Sequence, residues 1–264
     1  MTDTALLHWT LNRVFSMLVI MTRVGPLIFM MPIIGSPSVP TQVKALTTLA
    51  VSLVLLPVLH ISPALLPRTA VGLTLFVATE IAIGAILALL AHLLLAALDI
   101  AGQEVSIAMG MGMAGAMDPQ FGTQVSLVGY LWNIVAILIF LSINGHYIFI
   151  RTMVESFTWI PPGTLHLSGA TLRGVMQGAS HMFMFSIQIM APAGVALFLT
   201  NVAMGIIAKT VPQVPIMIVA MPLSIGIGFI FIGLSLSYLM PLLIRNFNQL
   251  GLNMRYLTMG LGGG

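Results

Sequence analysis

The stretch from Ala101 to Thr123 reads AGQEVSIAMGMGMAGAMDPQFGT and separates two long apolar runs of the chain. It holds four methionines and five glycines, together with the turn-forming pair Asp118-Pro119. Glycine accepts backbone conformations that other residues avoid, and methionine adapts to irregular apolar surfaces. We therefore predict a flexible central loop over about residues 101–124, called the Met/Gly segment below, that acts as a moving or sealing part.

The composition is that of a membrane protein. Of the 264 residues, 59% are hydrophobic and 6% are charged, whereas soluble domains carry about 25% charged residues. The nine basic residues are scattered singly, which argues against a nucleic-acid partner. The absence of cysteine excludes disulfides, thiolate metal sites and cysteine nucleophiles. The chain is therefore expected to be an integral membrane protein or a subunit buried in a membrane-associated complex.

Six apolar stretches are long enough to cross a membrane, which takes about 20 residues. Their length and their lack of strict alternation favour helices over barrel strands. Arg23, Pro57, Glu80 and Pro192 each place a charge or a helix-breaking residue inside one of these stretches. Such residues need partners inside protein, so we expect helices packed within a larger assembly. The stretches are Val14–Ile34, Leu46–Leu66, Val71–Leu98, Val125–Ile150, His181–Ile207 and Ile216–Ile244.

The basic residues indicate an orientation. With six spans, six arginines fall on one side of the membrane, and only Lys44 and Lys209 fall on the other. Cytoplasmic loops are enriched in basic residues, so both termini are expected in the cytoplasm and the Met/Gly segment on the opposite side. The N-terminus is acidic where a signal peptide is basic, and we expect it to stay attached. The arginines are Arg13, Arg68, Arg151, Arg173, Arg245 and Arg255.

No motif in the chain supports catalysis. Gly110, Gly112 and Gly115 match the G-x-G-x-x-G spacing, but the dinucleotide fingerprint also needs a preceding strand and an acid about 20 residues later. The six histidines form no H-E-x-x-H motif and no i,i+4 pair, which leaves a metal or haem site without support. We therefore expect no enzymatic activity, no cofactor and no metal.

Charged residues within the apolar stretches leave two interpretations open. A self-contained secondary transporter would couple to protons through Glu80 and Glu104, because acids inside a membrane are functional candidates. Alternatively, the charges pair inside the protein, with no partner assigned to any of them. The candidates for internal pairing are Arg23, Glu80, Glu104 and Lys209, with Asp118 as a further acid in the Met/Gly segment.

Four segments in the same order resemble the flagellar biosynthetic protein FliR family. The Met/Gly segment matches its pattern through AGQEVSIAMGMGMAGAMDP, and Asn144–Gly163 matches through NGHYIFIRTMVESFTWIPPG. The other two are MPIIGSPSVPTQVK, which starts at Met31, and NVAMGIIAKTVPQVPIMIVAMPL, which starts at Asn201. The chain departs from the family pattern at Lys209 and Pro215.

The resemblance implies an all-α, membrane-associated bundle of kinked helical hairpins that forms a single export-gate domain over residues 1–264. It implies the bacterial inner membrane and the flagellar basal body as the location. The expected partners are the FliP and FliQ gate subunits, the FlhB and FlhA export proteins, unfolded export substrates and the lipid bilayer. Apolar surface would then meet partner subunits as well as lipid, so six spans would overstate the membrane crossings.

The resemblance also implies that the loop over residues 109–123 plugs a pore for exported proteins. The methionines would form an apolar stopper, and the glycines would let it move. The expected plug residues are Met109, Gly110, Met111, Gly112, Met113, Gly115, Met117, Asp118, Pro119 and Phe121.

Overall fold

The computed structural model describes residues 2–59, 61, 65, 67, 69–111, 126–166, 169–211, 213 and 216–262. No β-strand occurs in these ranges, and seven α-helices account for most of them. The predicted all-α fold is thereby confirmed. The helices are α1 Thr2–Met30, α2 Thr41–Leu55, α3 Ala70–Ala108, α4 Leu127–Ser142, α5 Gly145–Trp159, α6 Gly169–Thr210 and α7 Ile216–Leu261.

Four described helices, α1, α3, α6 and α7, are long and apolar enough to cross a membrane, and α4 with α5 adds a fifth if the broken pair is one span. The prediction of six spans is therefore too high. The helix of the second stretch, α2, ends at Leu55 after 15 residues, a length of about 22 Å at 1.5 Å per residue. The apolar core of a bilayer is about 30 Å thick, so α2 is too short to cross it.

Proline ends one helix and is accommodated by others. α2 stops two residues before Pro57, as expected from the clash of proline with a preceding helical residue. Pro26 and Pro192, by contrast, lie inside α1 and α6. The break between α4 and α5 has a different cause, because Asn144 takes a left-handed conformation with φ +55°.

The chain divides into two compact units. Unit 1 comprises Met1–Leu93, Asn144–Gly178 and Phe247–Gly264, and unit 2 comprises Leu94–Ile143 and Ala179–Asn246. The helices α3, α6 and α7 contribute residues to both. The prediction of one export-gate domain stays a prediction.

Each unit has its own apolar core. Unit 1 buries Ile20 and Leu27 of α1 together with Leu87 of α3. Unit 2 buries Trp132 and Phe140 of α4. Other core residues are Ile83, Phe149 and Met153 in unit 1 and Leu98, Val105, Ala136 and Leu197 in unit 2.

Large apolar side chains also remain exposed on both units. Examples are Val54 in unit 1 and Leu199, Ile218 and Leu234 in unit 2. Lipid or partner subunits would remove this surface from water, in agreement with the composition.

Candidate functional site

The Met/Gly segment begins inside a helix. α3 continues through Ala101 and ends at Ala108, so the loop predicted from about residue 101 starts too early. The reason is the spacing of Ala101, Val105 and Met109, which follow one another at i,i+4 and are all buried in unit 2. Burial of this apolar stripe extends α3 into the segment as far as Ala108.

α3 ends in a hydrogen-bonded turn that requires a glycine. The N–H of Gly110 donates to the carbonyl of Ile107 at 2.9 Å, and the N–H of Met111 donates to the carbonyl of Ser106 at 3.0 Å. These two bonds form a Schellman motif, in which the residue after the helix is left-handed. Gly110 has φ +81°, a conformation that costs residues with a Cβ about 1–2 kcal/mol. The glycine therefore sets the point where the chain leaves α3.

Met109 packs the end of α3 against α7. Its side chain is fully buried, and a Cβ on Gly228 would lie 2.7 Å from its Cγ and Sδ atoms. The missing side chain at Gly228 therefore provides the space that Met109 fills. The predicted plug residue Met109 thus serves as part of the base from which the segment departs.

A cavity of about 250 Å³ lies beside this turn within unit 2. At its wall, the amide of Asn201 donates to the carbonyl of Ala108, and the hydroxyl of Ser224 donates to the side-chain oxygen of Asn201, each at 3.4 Å. These two long bonds connect the last carbonyl of α3 to α6 and α7. The lining residues are Ile107, Ala108, Met109, Gly110, Asn201, Ala220, Met221 and Ser224.

Ser126 is the first described residue after Met111, and its side chain is hydrogen-bonded back to α3. Its hydroxyl donates to the carbonyl of Gly102 at 2.8 Å and lies 2.7 Å from the hydroxyl of Ser106. It also accepts the N–H of Gly129 at 2.9 Å and so caps α4. Because the proton of Ser126 goes to Gly102, Ser106 must be the donor of the hydroxyl pair. We call Gly102, Ser106, Ser126 and Gly129 the serine clasp.

The clasp closes because two glycines meet. A Cβ on Gly102 would overlap the backbone of Gly129, so α3 and α4 approach more closely than helices with larger residues can. Ser106 then holds both ends of the intervening segment, since its carbonyl accepts the N–H of Met111 and its hydroxyl binds Ser126. Met111 and Ser126, the described residues on either side of 112–125, are thereby held on a common base in unit 2.

The structure describes three of the predicted plug residues, namely Met109, Gly110 and Met111. The remaining predicted plug residues, which include the acid Asp118, lie outside the described residues. They are Gly112, Met113, Gly115, Met117, Asp118, Pro119 and Phe121.

Two of the four candidates for internal pairing meet in unit 1. Arg23 and Glu80 are both fully buried and form a bidentate ion pair, with Nε–Oε2 at 2.6 Å and Nη2–Oε1 at 3.0 Å. The remaining donor, Nη1, bonds to the carbonyls of Ser156 and Ile160, and Glu80 also accepts the N–H of Gly163 at 2.8 Å. The pair therefore joins α1, α3 and the end of α5, with its buried charges compensated.

The other two candidates are not brought to a partner. Glu104 of α3 and Lys209 of α6 are exposed in unit 2, and neither forms an ion pair within the described part of the chain. A proton pathway through Glu80 would also have to break its contacts with Arg23. In the described residues, no group of three or more His, Asp or Glu side chains is arranged to hold a metal ion.

Comparison with known proteins assigns most of the chain to one family. The family described as bacterial export proteins, family 1, matches residues 14–250 of this chain. The chain belongs to this family. The matched range contains at least part of each of the described helices, and Arg23, Glu80 and the four residues of the serine clasp lie within it.

Several curated relatives carry the name flagellar biosynthetic protein FliR. The chain is 32% identical to the one from Bacillus subtilis over 170 residues, which are 63% of this chain and 65% of that relative. It is 26% identical to the Caulobacter vibrioides protein, with 86% and 91% of the two chains covered. The Escherichia coli protein is 27% identical, with 84% and 82% covered.

These matches confirm the resemblance to the FliR family. Together with the four or five apolar helices, they identify a multi-pass protein of the bacterial inner membrane that is a component of the flagellar export apparatus.

Sequence reasoning missed three features of these sites. Ser126 precedes an apolar run, which is the usual signal for a helix N-cap. Arg151 and Glu155 form an ion pair on α5 in unit 1, with Nε–Oε1 at 2.9 Å, and they stand at i,i+4, the spacing of a helical ion pair. The contact between Gly102 and Gly129 has no comparable signal, because glycine in a membrane helix is common.

Proposed function

We propose that this chain is a non-enzymatic, pore-forming subunit of the flagellar type III export gate, and that its Met/Gly segment plugs the pore. Its partners in the gate are the FliP and FliQ proteins, with FlhB and FlhA as further contacts. Unfolded flagellar proteins are the substrates that pass. The segment excludes ions between passages and yields to an exported chain.

The observation that carries the plug is the anchoring on Ser106 of Met111 and Ser126, the described residues that flank positions 112–125. A segment with fixed ends can change its conformation without leaving its place in the assembly. Its composition suits this task, because methionine fills irregular apolar space and glycine permits rearrangement. The four residues of the serine clasp are uncharged, so the passage of an exported chain would not require an ion pair at the clasp to break.

In this proposal the plug residues have two roles. Met109, Gly110 and Met111 belong to the base, where the Schellman turn and the packing on Gly228 hold them. The residues that seal the pore are Gly112, Met113, Gly115, Met117, Asp118, Pro119 and Phe121.

The test replaces Gly112–Phe121 by a glycine–serine linker of equal length and leaves Met111 and Ser126 in place. We expect the variant to assemble with its partners and to make inner-membrane vesicles permeable to small ions. The matched control is the double substitution Met113→Leu and Met117→Leu, which keeps the apolar bulk and should stay sealed. A linker variant that assembles and leaks no more than the wild type contradicts the plug.

Purification separates this proposal from a proton-coupled transporter. A gate subunit is expected to co-purify with small helical partners and to be unstable without them. A chain that is stable alone in detergent and moves a solute in response to a proton gradient would contradict the gate assignment. In that case Glu104→Gln should abolish transport.

A further inference from the structure

A half-exposed charge cluster lies on unit 1, apart from the sites described above. Glu155 of α5 accepts a hydrogen bond from Nε of Arg151 at 2.9 Å, and it accepts two from Nε and Nη2 of Arg255, each at 3.0 Å. The side chains of Arg151, Glu155 and Arg255 are 58%, 27% and 41% exposed. Two cations thus share one anion at the surface, unlike the closed Arg23–Glu80 pair.

The two arginines keep donors for a further anion. Both Nη atoms of Arg151 and Nη1 of Arg255 take no part in the contacts with Glu155. A guanidinium group binds phosphate oxygens well, because its planar N–H groups match their geometry. Glu155 holds the two guanidinium groups together and reduces their repulsion. The cluster therefore has the charge and the donors of a phosphate site.

Exposed aromatic residues lie near this cluster along α5 and α7. Tyr147, Arg151, Glu155 and Trp159 follow one another at i,i+4 and so share one face of α5. Tyr147 and Trp159 are exposed, as is Tyr256, the neighbour of Arg255 on α7. Tyrosine and tryptophan are enriched where a bilayer meets water. This mixture of aromatic and basic side chains is typical of the headgroup layer.

The opposite face of α5 is occupied by protein. Phe149, Met153 and Ser156 are buried, and Gly251 of α7 lies so close to Ile148 that an added Cβ would be 2.8 Å from its side chain. α5 also follows the strongly apolar α4 after only two residues. Along the chain, the cluster therefore stands next to a helix that suits the bilayer core.

We propose that Arg151 and Arg255 bind the phosphate of an anionic phospholipid at the membrane–water interface, with Tyr147, Trp159 and Tyr256 packing around the headgroup. This surface lies in unit 1 and does not depend on the plug. An acidic protein segment would match the same donors, but the exposed tyrosine and tryptophan side chains favour lipid.

The experiment measures lipid selectivity of the full chain, purified with whatever partners accompany it. The protein is reconstituted into phosphatidylcholine nanodiscs that contain a minor fraction of phosphatidylglycerol, and the co-purifying lipid is quantified by mass spectrometry. We expect the wild type to enrich phosphatidylglycerol. Arg151→Gln combined with Arg255→Gln should weaken this enrichment by at least about tenfold, because about tenfold is the effect of losing a single charge-assisted hydrogen bond and both arginines are removed.

Arg173→Gln is the matched control, because Arg173 is an exposed arginine of unit 1 outside the cluster. It removes one positive charge, as Arg151→Gln alone does, and should change the enrichment by less than about twofold if specific donors, and not diffuse charge, bind the lipid. Arg151→Gln alone guards against misfolding, since Arg151 makes a single exposed contact. Lysine at both positions keeps the charge without the planar donors and should restore the enrichment only in part.

Three results would overturn the proposal. Equal losses in Arg173→Gln and Arg151→Gln would show diffuse surface charge. Displacement of phosphatidylglycerol by millimolar inorganic phosphate would show a site for free phosphate. Retained lipid enrichment with loss of a co-purifying protein in the double variant would show a protein interface.

Discussion

In unit 1 a buried ion pair, Arg23–Glu80, joins α1, α3 and the end of α5. In unit 2, by contrast, the base of the Met/Gly segment is held by two serine hydroxyls and by the close contact of two glycines. The ion pair does not tolerate the loss of one partner, because the other charge would stay buried without compensation. The serine clasp is neutral, and each of its hydrogen bonds contributes only about 1 kcal/mol. A buried ion pair therefore suits a part of the protein that keeps one conformation. A neutral, weakly bonded clasp suits the support of a segment that moves.

Glu80→Ala should have the largest effect on stability. It leaves Arg23 buried without its counter-charge, and we expect the free energy of unfolding to fall by about 3–5 kcal/mol. Chemical unfolding of the purified protein in detergent, followed by circular dichroism, measures the change.

The double substitution Arg23→Met and Glu80→Leu tests the cause of that loss. It removes both charges and keeps apolar volume, so it should recover most of the stability lost in Glu80→Ala. If Glu80→Ala is as stable as the wild type, the ion pair is not what holds unit 1 together.

Gly102→Ala should have the second-largest effect. The new methyl group overlaps the backbone of Gly129, so α3 and α4 must separate, at a cost of about 2–3 kcal/mol. Gly226→Ala is the control, because a Cβ at Gly226 of α7 meets nothing within 4 Å. The same unfolding measurement should find the control neutral or slightly stabilised. Equal stability of the two variants would contradict the close glycine contact.

Ser126→Ala should weaken the clasp without separating the helices. It removes the cap of α4 and the bonds to Gly102 and Ser106, for a loss of about 1–2 kcal/mol. Hydrogen exchange at the N-terminus of α4 should become faster. Ser126→Thr keeps the hydroxyl and should retain most of the protection, and unchanged exchange in Ser126→Ala would count against the clasp.

Gly228→Ala should have the smallest effect of the four. The added methyl group crowds Met109, but a methionine side chain can reorient, so the cost is about 1 kcal/mol or less. Combining it with Met109→Ala tests the contact, because the crowding term then disappears and the two losses do not add. Strict additivity would show that Gly228 acts independently of Met109.

The sequence identified the right charged residues only in part. Arg23 and Glu80 were candidates because charge is rare in apolar helices, yet nothing in the pattern paired them across 57 residues. Glu104 and Lys209, which lie just outside the apolar stretches, were candidates as well and are exposed in unit 2. The criterion is local, whereas the pairing depends on which helix faces meet in the fold.

The boundaries of the Met/Gly segment show a similar division. Its glycines and methionines predicted irregular backbone, and Gly110 does take a left-handed conformation. The helix nevertheless continues to Ala108, because Ala101, Val105 and Met109 pack into unit 2. Composition identified the segment, and burial decided where it starts.

The sequence by itself determined that this protein is helical, apolar and a member of an export family, because hydropathy, helix-breaking residues and ordered motifs are properties of neighbouring positions along the chain. Only the tertiary structure decided that Arg23 pairs with Glu80, that Ser106 holds Ser126, and that Glu155 joins Arg151 to Arg255. Most of these contacts join residues far apart in sequence. Their partners are selected by the packing of whole helix faces, which no local pattern encodes.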